Sequence, residues 1–188
     1  MSIEKNIDNV WKKLSDGAMR SKSPFHIIYL AYQSEMVESC SIVLQALEHG
    51  AIHFHTHAGA PKVAAIKQTP GVSLLGYDSQ GKLQLRMKGI VTINHQNAVS
   101  EKVWQSMRDS SKLCYQLDAP SSKVKRVASS QDERLLKLRQ DPMTGYENFV
   151  VCHVELIQID CLELHYEGHI RSLFKRVGDK WECEEIQA

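Results

Sequence analysis

Three histidines, His53, His55 and His57, stand two apart in the run Ala-Ile-His-Phe-His-Thr-His at 51–57. Side chains two apart on a strand share a face, so this spacing makes an imidazole stripe, with Ile52, Phe54 and Thr56 turned the other way. Such a stripe is a candidate for zinc ligation. Strand residues two apart are separated by about 7 Å, so three in a row cannot close on one ion. No carboxylate is apparent beside them to support a ligand set. A metal site is therefore not expected. Just downstream, Ala58-Gly59-Ala60 is a small-residue loop, Pro61 suits the first position of a helix, and Lys62 follows. Unpaired N–H groups and the positive end of a helix dipole would meet the lysine there, which is an anion site in outline. A third set is Gln84, Arg86 and Lys88, alternating with Leu83, Leu85 and Met87. One face of that strand offers an amide and two cations to something polar or anionic.

These groups need a scaffold, and the local patterns supply one. A strand at 51–57 leads through the loop into a short helix carried by Val63, Ile66 and alanines, which Thr69-Pro70-Gly71 stops. An apolar strand at 72–77, turn chemistry at Asp78-Ser79-Gln80-Gly81, and a strand over 82–93 form a hairpin. Upstream, Ile7, Val10, Trp11 and Leu14 have helical spacing over 3–19, a lead-in helix expected to cover one end of a barrel. Strands are expected at 25–33 and 36–47, then a turn at Glu48-His49-Gly50. Downstream, helical spacing runs from Ala98 to about Tyr115, and Ser121 to Arg126 is a polar, basic loop. Ser130 and Glu133 form a capping-box pattern ahead of a helix reaching about Gln140. Four closing strands are expected at 149–157, 159–166, 170–176 and 180–186. The expected organisation is one domain over 1–188, with the lead-in helix in 1–22, a helical insertion at 98–140 and closing strands over 148–186.

The chain has 188 residues with 23 basic and 22 acidic side chains. That length fits one domain with a real core. The charge balance speaks against a general affinity for nucleic acid or an anionic membrane. No apolar run approaches the roughly 20 residues of a membrane helix, and the N-terminal stretch lacks the apolar core of a signal peptide. Five cysteines are scattered without a Cys-x-x-Cys pair. They read as small apolar residues of a reducing, cytoplasmic compartment.

The order of the central parts resembles the flavin mononucleotide (FMN)-binding split barrel of the pyridoxamine 5′-phosphate oxidase superfamily, and most closely its shorter flavin-binding homologues. That family carries Phe-Tyr-Thr at a strand end, Ser-Arg-Lys opening a helix, an Asn-Pro stop, and Gln-Val/Leu-x-x-x-Gly on the second hairpin strand. The matching text is Phe54-His55-Thr56, Ala60-Pro61-Lys62, Thr69-Pro70 and Gln84 through Gly89. The stretch 163–174, with His169 and Arg171, and Trp181 beyond it, resembles the family's closing hairpin. Residues 103–121 resemble its helix and following loop. The resemblance covers most of the chain from about Phe25.

The resemblance implies an α+β split β-barrel with flanking helices, working as a homodimer with flavin sites shared between subunits. It implies FMN as cofactor, with His55, Thr56, Pro61, Lys62, Gln84 and Arg171 as cofactor-binding residues. No catalytic residue can be named. Cys40 and Pro61 stand where the family has phosphate-binding arginines, so the phosphate would rest on Lys62, the helix N-terminus and Thr56. The implied function is a flavin-dependent oxidoreductase acting on a small molecule of unidentified structure. The alternatives are a non-catalytic flavin-binding or flavin-sequestering dimer, and a degenerate member that has lost flavin and serves as a binding module. Poor activity toward pyridoxamine 5′-phosphate itself is expected, because only His169 and Arg171 stand in the last hairpin to hold the substrate's phosphate. Trp104 and Trp181 read as packing residues.

Overall fold

The structure is a computed structural model that describes residues 7–117 and 130–188. Helix α1 (Ile7–Met19) precedes β1 (Ile27–Gln33), β2 (Val37–Val43), β3 (Ala46–Glu48) and β4 (Ala51–His57). Helix α2 (Pro61–Gln68) then leads to the hairpin β5 (Gly71–Asp78) and β6 (Leu83–His95). The helical segment comprises α3 (Ala98–Ser106), α4 (Asp109–Lys112), a 3-10 turn (Leu113–Gln116) and α5 (Gln131–Gln140). The strands β7 (Phe149–Glu163), β8 (Ile170–Val177) and β9 (Lys180–Glu185) end the chain. All strand pairings are antiparallel, in one nine-stranded sheet of order β2-β1-β5-β6-β7-β4-β3, with β8 on β7 and β9 on β8. The sheet curls without closing: β2 and β4 touch across the core but share no ladder. This is an α+β split-barrel arrangement.

Alternation explains which face is inside. On β4, Ile52, Phe54 and Thr56 are buried and the three histidines only partly so. On β6, Leu83, Leu85 and Met87 are buried and Arg86 and Lys88 exposed. The core joins these to Leu30 and Leu74, and α1 covers it with Val10 and Leu14. A second, smaller cluster lies on the outer face of β7, where Trp104, Tyr115 and Phe149 pack as tilted and edge-to-face rings. Trp104 is buried there and donates from Nε1 to the Pro142 carbonyl. Trp181 meets Trp11 edge to face at 5.4 Å between centroids. Both tryptophans therefore pack, as expected.

Turn and cap chemistry hold where the sequence announces them. His49 and Gly50 take positive φ in the tight turn between β3 and β4. Asp78 Oδ1 accepts from the Gln80 and Gly81 amides. Ser130 and Glu133 form a reciprocal capping box on α5. Three expectations are corrected. The strand at 36–47 is two strands, because Leu44 bonds back toward β1 while Gln45 already bonds to β4. The helix from Ala98 breaks at Met107, whose extended backbone ends α3. The strands at 149–157 and 159–166 are one strand. Ile157 is an extra residue in its ladder with β6, opposite the register shift between Lys88 and Gly89, so the side-chain alternation slips without a chain reversal. Of the expected lead-in helix, residues 3–6 lie outside the described residues, as does the 121–126 loop.

Candidate functional site

The expected site residues fall into three groups. The first sits at the N-terminus of α2. Pro61 occupies the first helical turn, and the N-cap residue Ala60 brings no side-chain acceptor. The first-turn amides therefore have no side-chain cap, as the small loop before Pro61 requires. Lys62 turns toward the barrel interior. Its ammonium lies close enough to the Cys40 thiol, and to Cys152, to favour their charged forms. Cys40 is on the core face of β2, opposite Leu30. Burial raises the Cys40 pKa, and Lys62 offsets only part of that rise. Cys152 is pushed up to about 12 by burial. Both cysteines are thus neutral thiols at physiological pH. Thr56 is buried on the core face of β4, the same side of the sheet.

The second group is on the opposite, outer face, across β6, β7 and β8. Gln84, Leu162 and Arg171 are cross-strand neighbours in one row, and Arg86, Asp160 and Leu173 form the next. Arg171 donates from Nε to Asp160 Oδ1 at 2.9 Å and from Nη2 to Oδ2 at 2.8 Å. Arg86 donates to the same Oδ2. Arg86 thus has an intrachain partner, and one edge of the Arg171 guanidinium belongs to Asp160. Asp160 was not among the expected residues. Its signal was available, since it is the one acid in the apolar run from Ile157 to Leu162. Beside this group lies a cavity of about 570 Å³ lined by Tyr29, Leu75, Arg86, Lys88 and Asp160. Around it the outer face keeps Ile27, Tyr29, Leu75 and Tyr77 exposed.

The third group is the histidine stripe; among the described residues no set of three ligand-type side chains converges. His53 lies tilted against His153 of β7 with ring centroids 4.6 Å apart. His55 packs edge to face on Phe149 at 5.0 Å. Burial, with His53 nearby, pulls the His55 pKa down to about 4. His53 is lowered too, by burial and then by His153. His57 accepts from the Gly59 amide at Nδ1 and bonds the Leu117 carbonyl through Nε2. It is therefore a neutral ring with its proton on Nε2, clasping the loop before α2. His153 was missed; its place on the outer face of β7 follows from alternation once Cys152 and Val154 are taken as core.

The donor chemistry fits a flavin nucleotide in two separate halves. An ammonium, a hydroxyl and uncapped helix amides suit a phosphate, and an amide and a guanidinium edge suit the ring's carbonyls and nitrogens. The halves lie on opposite faces of the sheet, so one chain does not bring them together.

Solved structures with this fold were found across the whole chain. A pyridoxamine 5′-phosphate oxidase-related, FMN-binding protein from Nostoc punctiforme superposes with a TM-score of 0.77 at 20% identity, covering 100% of both chains. PhzG from Burkholderia lata, solved with tetrahydrophenazine-1-carboxylic acid, gives 0.77 at 17% identity, covering 98% of this chain and 93% of its own. A protein related to general stress protein 26 from Clostridium acetobutylicum gives 0.51 at 10% identity, covering 96% and 94%. No family model matches the sequence, and no curated protein does. The chain has the split-barrel fold of pyridoxamine 5′-phosphate oxidase-related proteins, and at these identities the likeness concerns the fold.

Proposed function

We propose that two copies of this chain pair and bind FMN at their interface, as a flavin-dependent oxidoreductase for a small molecule. The observation that carries this reading is the two-sided arrangement. Lys62, Thr56 and the α2 N-terminus are on one side of the sheet, and Gln84 and Arg171 are on the other. A second copy would complete each half with its counterpart. The exposed Ile27, Tyr29, Leu75 and Tyr77 give such an interface apolar surface to bury. The FMN-binding relative of the same fold supports the choice of cofactor.

In this reading Lys62, Thr56 and the first-turn amides of α2 hold the phosphate, and Pro61 sets the chain direction there. Gln84 and the free edge of Arg171 orient the ring, and His55 packs behind the strand end as a neutral ring. FMN, when bound, supplies the hydride or electron transfer. This chain's residues bind it, orient it and exclude water.

The deciding experiment is the absorbance spectrum of whatever the purified protein releases on denaturation, followed by titration of apo-protein with FMN. Flavin bands and saturable binding support the reading, and neither being seen would refute it. Turnover with a reduced nicotinamide then separates an enzyme from a flavin-binding protein without turnover. The second reading draws on the hold of Asp160 over Arg171 and Arg86, which leaves the carboxylate beside the cavity already paired.

A further inference from the structure

We propose that Asp160 is a positioning residue that sets both the direction of the Arg171 guanidinium and the positive charge beside the flavin ring; this rests on the flavin reading above. Three observations carry it. Asp160 takes Arg171 in a two-point grip, Nε to Oδ1 at 2.9 Å and Nη2 to Oδ2 at 2.8 Å. The same Oδ2 also accepts from Arg86 on the neighbouring strand. The Asp160 side chain is only 9% exposed, against 25% for Arg171 and 49% for Arg86. A carboxylate this enclosed, anchored on the central strand β7, is the fixed point, and the longer side chains are oriented by it.

The consequences are geometric and electrostatic. A planar guanidinium held along one edge can present only its other edge, the Nη1 hydrogens and the second Nη2 hydrogen. That edge suits a carbonyl oxygen or ring nitrogen, and Gln84 stands in the same cross-strand row to fix a second point. Two guanidiniums against one carboxylate leave a net charge of one. Reduction of bound flavin adds negative charge to the ring, so the cluster's charge biases reduced against oxidised flavin. Asp160 therefore limits that bias while Arg171 delivers it.

The test uses full-length protein reconstituted with FMN. In Asp160→Asn the cluster gains a unit of positive charge and Arg171 loses its grip. Oxidised FMN should bind about tenfold more weakly. Affinity for reduced relative to oxidised flavin should rise about tenfold, which for a two-electron couple moves the midpoint potential up by about 30 mV. Asp160→Glu should restore most of the FMN affinity. Arg86→Gln keeps the grip on Arg171 and removes one positive charge. It should leave FMN affinity within about threefold and lower the potential, which provides the reading if Asp160→Asn does not fold. Wild-type protein that binds FMN, with variants whose potentials stay unchanged, would overturn the role of Asp160 while leaving the flavin reading intact. Wild-type protein that binds no FMN would overturn both.

Discussion

The Lys62 ammonium at the start of α2 lies near enough to the Cys40 thiol on β2 to offset part of the rise that burial gives the thiol's pKa. In the resembling family an arginine occupies the place of Cys40, so here a neutral thiol faces the one remaining lysine. In the proposed FMN site, Lys62 would then hold a disproportionate share of the phosphate. Lys62→Ala should weaken FMN by roughly ten- to a hundredfold, from about 1.5–3 kcal/mol per charge-assisted contact. Riboflavin, which lacks the phosphate, should be nearly unaffected. Paired titrations of apo-protein check this, and equal losses for both ligands would place the phosphate elsewhere.

His55 makes stability depend on acid. Its folded pKa is about 4, below the ordinary value of 6.5, so the unfolded chain binds more protons between those values. Stability from this group is complete above pH 6.5 and falls as pH drops toward 4, by about 2 kcal/mol at pH 5. His53 is lowered as well and acts in the same direction. His55→Phe should flatten the profile between pH 7 and pH 5 in urea unfolding. An unchanged slope would mean that His55 is not the sensing group.

Gly89 is required by backbone approach. A Cβ there would lie 2.7 Å from the Glu155 carbonyl oxygen and 2.7 Å from Val154 Cγ1. The collision sits at the register shift between β6 and β7, where neither strand can move without breaking its ladder. Gly89→Ala should cost about 1–3 kcal/mol, as overpacking does. Thermal unfolding of the variant measures it, and a midpoint equal to wild type would show that the bulge relaxes freely.

The outer face supports a dimer expectation. Tyr29 is 55% and Tyr77 45% exposed on the same sheet face as Leu75. An obligate interface should bury about 2,000 Å² or more. Sedimentation at micromolar concentration should give twice the chain mass of 21.3 kDa. Leu75→Arg should shift the protein toward monomer and weaken FMN together. A wild-type monomer would sink the shared-site proposal.

Conversion of pyridoxamine 5′-phosphate to the aldehyde should be slow. A second phosphate needs cations, and Arg171 has one edge on Asp160. With one or two charge-assisted contacts missing, substrate should bind one to several powers of ten more weakly than a fully cationic site would hold it. A coupled assay for pyridoxal 5′-phosphate measures this, and efficient turnover would contradict it.

Local chemistry made much of this molecule legible before folding. The alternation of 51–57 and 83–88, Pro61 opening α2, the Asp78 turn and the Ser130–Glu133 capping box are each decided within a few residues, so propensity and spacing suffice. What the sequence could not show was set by distant partners. The break at Leu44 and Gln45 arises because the chain trades β1 for β4. The continuity of β7 depends on a slip against β6. The grip of Asp160 on Arg86 and Arg171 spans three strands, and the approach of Lys62 to Cys40 depends on how α2 lies against β2. Side-chain period names a face, but only strand order and register decide which charged groups meet on it, because those depend on pairings between segments many residues apart.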